Sequence, residues 1–339
     1  MRRYKRTLVA VALATTVVAG TAGWASGNAQ EAVTGPPPGS SAWRAEGLPD
    51  PAASTPEQVA HFFAGLSQNR RQDLARRHPL VVGNLDGAPV ELRYEANSRA
   101  AQAEGFDRLA KPGRQILAFD PRVRGQVAEV YGDLGEAEHV AVVVPGSDID
   151  ARTFDRTNDV YGTPAGMAKS LYDSTKSHRT AVIAWAGYTT PVGVGIDAAT
   201  GDLAEAGAER LARLTDGLDA TGAPDPAVFC HSYGSVVCGL AAPRLDAADV
   251  VALGSPGMRV ADVDDMHTDA RVWAAKDPSD WISKVPNVEF AGLGHGTDPT
   301  EPAFGARRVP ADNAEGHTGY FVPGTESLRT FAAITVGEL

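Results

Sequence analysis

Cysteine is nearly absent from this chain: Cys230 and Cys238 are the two in 339 residues. That scarcity excludes a small disulfide-stapled scaffold, and the spacing does not suit a zinc site. Positive charge is also short, with 31 Lys and Arg against 42 Asp and Glu and a formal net charge of −11. An acidic surface repels the phosphates of nucleic acids and anionic membranes, so neither is expected as a partner. Past the N-terminus, no apolar run approaches the roughly 20 residues needed to span a bilayer. There is no internal repeat. Gly193-Val194-Gly195 lacks the rest of a dinucleotide fingerprint. Asp148, Asp150, Asp155 and Asp159 lack the glycine and terminal glutamate of a calcium loop. No metal or organic cofactor is therefore expected.

The N-terminus reads as an address. Arg2, Arg3, Lys5 and Arg6 precede an apolar stretch over 8–22, and small residues near Ala22, Ala25 and Ser26 offer cleavage points. This pattern is that of a secretory signal peptide over residues 1–25, with an uncleaved anchor as the alternative. The expected location is secreted or cell envelope. Without the four basic residues, 27 Lys and Arg face 42 Asp and Glu, a net charge near −15. Residues 26–55, with Gly35-Pro36-Pro37-Pro38-Gly39-Ser40-Ser41, read as an extended linker.

Residues 56–112 read as an N-terminal helical segment. Thr55-Pro56-Glu57 is a helix start, and helices are predicted over 56–78 and 90–110. The pattern changes at about 113. Strand-length apolar runs are predicted at 115–119, 126–131, 139–144, 180–185, 227–230, 249–253, 271–275 and 287–291. The first two are joined by a short polar link, and the later ones are mostly separated by helix-length segments at 153–176, 197–217 and 233–243. Alternation of this kind predicts a mainly parallel sheet covered on both faces. Eight strands with the second antiparallel is the order of the α/β-hydrolase fold, assigned to residues 113–339.

After the fifth predicted strand comes Cys230-His231-Ser232-Tyr233-Gly234, running into small and apolar residues. This is how a nucleophile elbow reads: strand, one sharply turned Ser, then helix. Strand and helix cross closely there, so positions two before and two after the Ser must be small. Gly234 meets that demand, and Cys230 stands where Gly is usual. The two cysteines flank the elbow. Export would favour their pairing, but strand–helix geometry can also hold two such residues apart, and both outcomes stay open.

A Ser nucleophile needs oxyanion donors, an orienting acid and a base. In this fold the chain order is Ser, acid, His. Val142-Val143-Val144 runs into Pro145-Gly146-Ser147, which makes the amides of Ser147 and Tyr233 the candidate oxyanion donors. After the seventh strand the acid is Asp280 or Asp277, with Asp280 preferred for the apolar Ile282 two positions on. The base is His317, just before a last predicted helix at 325–336, or His295. His231 reads as a buried neighbour of the Ser.

The chain resembles the secreted actinobacterial-type α/β-hydrolases known as a domain of unknown function, whose elbow is Gly-His-Ser-Tyr-Gly. The resemblance extends to Val82-Gly83-Asn84-Leu85-Asp86-Gly87-Ala88-Pro89 with Arg93 and Asn97. It takes in Leu253-Gly254-Ser255-Pro256-Gly257, Phe304-Gly305-Ala306 and Gly316-His317, and so covers about residues 56–339. It implies the fold and a Ser-Asp-His hydrolase, and names no substrate. The expected activity is a secreted serine hydrolase of carboxylic esters, either a carboxylesterase or a lipase-like enzyme. Its expected partner is a small-molecule or lipid ester. An amidase, peptidase or acyltransferase with the same triad, or a non-catalytic envelope binding protein, are the alternatives.

Overall fold

The computed structural model describes residues 29–175 and 178–339; the signal segment assigned to residues 1–25 lies outside them. Its centre is an eight-stranded sheet in the order β1-β2-β4-β3-β5-β6-β7-β10. These strands are β1 (Ile116–Asp120), β2 (Gln126–Tyr131), β3 (His139–Val144), β4 (Thr180–Ala186), β5 (Ala227–His231), β6 (Asp249–Leu253), β7 (Arg271–Ala275) and β10 (Arg307–Arg308). Strand β2 runs antiparallel to both β1 and β4, and the pairings from β4 to β10 are parallel. This is the α/β-hydrolase fold.

The central strands are continuous apolar runs because both of their faces are covered. Val142, Ile183, Val228 and Val250 point to one core, where they meet Leu211, Val236 and Val237. Val143, Val182, Phe229 and Val251 point to the other, with Met167, Leu171, Phe321 and Phe331. Parallel strands all end on one edge of the sheet, so the loops after β3, β5, β6 and β7 converge there. Among the described residues no helix is long and apolar enough to cross a membrane.

The segment before the sheet is helical: Pro56–Ala64, Gln68–Arg77, Pro79–Val82 and Val90–Ala103. Thr55 opens the first of these with a capping box, its hydroxyl accepting from Gln58 N while Gln58 Oε1 accepts from Thr55 N. The segment has its own small core, including Trp43, Phe63, Leu74 and Leu85. Its polar side chains hold the outer edge of β1, where a further strand would otherwise have to pair. Asn84 Nδ2 donates to Phe119 O at 2.7 Å and to Leu80 O at 2.8 Å, and Asn84 Oδ1 accepts from Phe119 N at 3.2 Å. Arg93 Nε donates to Leu117 O at 3.0 Å, and Asn97 Nδ2 to Ile116 O and Gly83 O at 2.9 Å. Arg93 also pairs with Asp86 at 3.1 Å. The Asn84–Asn97 motif is thus a clamp on an edge strand.

Three expectations need correction. The residues read as an extended linker include a helix, Ser40–Ala45, whose Trp43 is fully buried and donates through Nε1 to Pro49 O. The strand expected at 287–291 is not in the main sheet. Glu289–Phe290 (β8) pairs with Leu293–Gly294 (β9) in a separate two-stranded hairpin, and Val288 and Phe290 are exposed. The eighth strand is β10, whose two arginines pair through the backbone with β7 while Arg307 lies over the Trp273 ring. An edge strand of two residues needs no apolar run, so its sequence carries no strand pattern. Finally, the helix expected over 153–176 starts at Pro164, since a proline fits a first turn but not a helix interior.

The clamp gives a direct prediction. Asn84→Ala leaves the Phe119 carbonyl and amide and the Leu80 carbonyl without this partner, at a cost of about 1–3 kcal/mol. Urea unfolding monitored by circular dichroism should show the midpoint falling with the slope unchanged. An unchanged midpoint would remove the clamp from the account.

Candidate active site

A strand, a sharply turned Ser232 and a helix follow one another where the sequence places them. Ser232 follows β5 with φ 55°, in the left-handed region that non-glycine residues rarely occupy. Its amide donates to Leu253 O at 2.8 Å, and its carbonyl accepts from Ser235 N at 2.9 Å and Ser235 Oγ at 2.6 Å. The helix Gly234–Ala241 leaves directly from it. A Cβ on Gly234 would stand 2.5 Å from Val144 O, so only glycine allows this crossing of helix and strand. Cys230, the other tight position, is bonded to Cys238, with a Cα–Cα distance of 6.4 Å. The disulfide therefore joins β5 to the helix across Ser232.

Gly146 lies against the nucleophile candidate. A Cβ there would sit 2.6 Å from Ser232 Cβ, 3.0 Å from Ser232 Oγ and 3.1 Å from Tyr233 N. Ser147 is the next residue in the turn after β3. Neither the Ser147 nor the Tyr233 amide donates to another protein group among the described residues. The Tyr233 ring is anchored by its hydroxyl to Thr200 O at 2.9 Å and stacks on Tyr188.

Asp280 and His317 meet. His317 Nδ1 lies 2.9 Å from Asp280 Oδ1 and 3.0 Å from Oδ2, which assigns the ring proton to Nδ1 and leaves Nε2 as an acceptor. The Asp280 side chain is fully buried. Burial alone would raise its pKa. The hydrogen bond and charge of His317, the Tyr320 hydroxyl and the Ile282 amide together outweigh this and hold it below the usual carboxylate value. Tyr320 Oη donates to Asp280 Oδ2 at 2.6 Å and accepts from Asp277 N at 3.1 Å.

Asp277 is also buried but faces its own turn. Its Oδ1 accepts from the Ser279 amide at 2.7 Å, from the Ser279 hydroxyl, and from Gly316 N at 3.3 Å. It ties the loop after β7 to the loop that carries His317. His295 lies elsewhere: its Nε2 donates to Ala198 O at 2.7 Å and its ring meets the Tyr233 ring edge-on at 5.5 Å. Burial lowers its pKa. His231 Nε2 donates to His317 O at 2.6 Å, with the two rings 4.7 Å apart, so it supports the loop bearing the candidate base.

Two contributors carried no assigned role in the sequence reading. Tyr320, three residues after His317, holds the candidate acid, Asp280. Gly254, at the end of β6 with φ 51°, admits the pair: a Cβ there would stand 2.7 Å from Asp280 Oδ2 and 3.2 Å from His317 Nδ1. Glycine at the tip of the strand beside the elbow was the available signal. Trp281 packs against His317, with ring centroids 4.6 Å apart.

Residues 120–290 match the alpha/beta hydrolase family. A Mycobacterium tuberculosis protein designated "Uncharacterized protein Rv2079" is 28% identical over 374 residues, covering 86% of this chain and 57% of its own length. The chain thus spans a little over half of that curated relative. Among solved structures, dienelactone hydrolase from Anabaena variabilis is 15% identical with a TM-score of 0.40, covering 64% of this chain and 91% of its own. XC6422 from Xanthomonas campestris, an α/β serine hydrolase without a lid, is 14% identical with a TM-score of 0.39, covering 67% and 95%.

Burial, with the His317 charge adding to it, pulls the pKa of His231 down to about 3 from 6.5. As the pH falls, the unfolded chain therefore takes up this proton first. The stability tied to the neutral ring is whole above about 6.5 and is lost progressively towards about 3. His231→Gln can keep a donor to His317 O and cannot titrate. Unfolding free energies measured across this range should fall less steeply in the variant than in the wild type. Parallel curves would contradict the buried, neutral assignment.

Proposed function

The chain belongs to the alpha/beta hydrolase family, and within it we propose a serine hydrolase acting on carboxylic esters. The observation that carries the reading is the hydrogen-bonded Asp280–His317 pair, on a loop that rests on His231, the residue before the left-handed Ser232. Asp280 fixes the His317 tautomer and stabilises the imidazolium that forms during reaction. His317 Nε2 takes the proton of Ser232 as its Oγ attacks the ester carbonyl. The amides of Tyr233 and Ser147 receive the developing oxyanion. The alkoxide leaves with the proton from His317, and water then cleaves the acyl-enzyme by the same steps in reverse roles.

Exposed Val192, Val194 and Ile196 lie on one segment, and Val288, Phe290 and Leu293 on another. The residues that follow these segments meet, His295 Nε2 donating to Ala198 O, and His295 and Thr200 contact the Tyr233 side chain. Such a rim favours esters with an apolar acyl or alcohol part over charged ones. We also propose that the chain is exported, a reading supported by the Cys230–Cys238 bond, which suits an oxidising compartment.

Two outcomes follow. Hydrolysis of a panel of p-nitrophenyl esters of increasing chain length should fall by several powers of ten in Ser232→Ala and in His317→Ala. His295→Ala should keep most of the activity. Near wild-type turnover in Ser232→Ala would end the serine mechanism, and loss in His295→Ala alone would move the base. For export, protein recovered from the culture medium should begin near residue 26 and take up no alkylating agent before reduction. A retained N-terminus, or two alkylated thiols, would contradict the address.

A further inference from the structure

A cavity of about 270 Å³ lies between the N-terminal segment and the β1–β2–β4 side of the sheet. It contains none of Ser232, Asp280 or His317. Its volume is just under the roughly 300–1,000 Å³ of common ligand pockets. Four arginines and three carboxylates line it, an excess of one positive charge. Most of these are already committed. Asp86 pairs with Arg93 at 3.1 Å and with Arg213 at 3.6 Å, and Asp120 pairs with Arg122 at 2.6 Å. The third carboxylate, Glu209, is exposed.

Arg210 is the cation left over. It lines the cavity from the helix Asp202–Asp219 and makes no hydrogen bond or ion pair among the described residues. Asp120 and Asp86 act on it from a distance, and burial works against its charge. A second group is also unmatched. Gln126, at the start of β2, is 3% exposed and lines the same cavity, yet neither its Nε2 nor its Oε1 has a partner. Leaving such a buried amide unpaired costs about 1–3 kcal/mol. A guanidinium and an amide lacking partners line one cleft that opens to solvent, and an anionic ligand reaching both would satisfy them.

We propose that this cavity is a second binding site, for a small organic carboxylate whose head group is held by Arg210 and Gln126. A single negative charge balances the lining, whereas a phosphate dianion would leave an excess beside Asp86 and Asp120. The remaining wall suits an apolar body, since Trp185, Leu214, Val127 and Pro36 line it. The cavity opens beside the edge strand that Asn84 and Arg93 clamp, so that motif forms part of the site's frame as well as holding β1. This site does not depend on the serine mechanism.

Calorimetric titration of the full chain with hexanoate tests it, with hexanamide and inorganic phosphate as parallel probes. Hexanoate should bind saturably with one equivalent per chain, hexanamide should not bind, and phosphate should bind more weakly. Arg210→Met should weaken hexanoate at least about tenfold, the loss of a charged hydrogen bond. Gln126→Leu changes no charge and should weaken it severalfold, so it carries the test if the arginine variant does not fold. Three results overturn the proposal: no saturable binding up to about 10 mM, phosphate binding more tightly than hexanoate, or wild-type hexanoate affinity in a folded variant of either residue.

Discussion

Holding a serine in the left-handed region costs about 1–3 kcal/mol, and the surroundings have to keep it there. At Ser232 they do so from three sides. Its amide is bound to the end of β6, and its carbonyl is taken up by Ser235 in the first turn of the following helix. A disulfide ties the strand before it to that helix. Gly234 and Gly146 supply the space, since a side chain at either would collide with the neighbouring strand end or with Ser232 itself. The position of every other group at the site is relative to this turn. Gly254 follows β6 and leaves room for Asp280 and the imidazole to approach, and the loop carrying His317 rests on His231, the residue just before the serine.

The acid and base positions show how buried polar groups are shared out. Two aspartates follow β7, and each accepts several hydrogen bonds with a different purpose. Asp277 closes a turn and fastens the His317 loop through Gly316. Asp280 faces the ring, with Tyr320 and the Ile282 amide filling its remaining lone pairs. Tyr320 bridges the two by accepting from the Asp277 amide and donating to Asp280. A carboxylate so enclosed stays ionised because its hydrogen bonds outweigh the desolvation, and an ionised Asp280 keeps the His317 proton on Nδ1.

Much of this was legible in the sequence because it rests on local order. The elbow needs a strand, a serine between small residues and a helix, all within a dozen positions. Chain order in an eight-stranded sheet with its second strand reversed narrowed the candidate acid to Asp280 or Asp277 and the candidate base to His317 or His295. What was not legible depends on contacts between distant segments. β10 is two arginines that join β7 through the backbone, with Arg307 over the Trp273 ring, so it shows no apolar alternation. The exposed hairpin at 289–294 does show a strand-like run and drew the expectation to itself. Trp43 sits in a proline- and glycine-rich stretch whose composition suggests a linker, and only its burial among Phe63, Leu74 and Leu85 makes that stretch part of the fold. Tyr320 and Gly254 are ordinary residues until their distance to Asp280 is known.

The central claim is that Ser232 is chemically activated by its surroundings, and covalent trapping tests it without assuming a substrate. A fluorophosphonate ester reacts with an activated serine hydroxyl and with few others. Intact-protein mass spectrometry after exposure should show one phosphonyl adduct, and peptide mapping should place it on Ser232. Under the same conditions Asp280→Asn should react far more slowly, since the tautomer of His317 would be wrong for proton removal. An unmodified wild-type protein, or an adduct mapped to any other residue, would contradict the account.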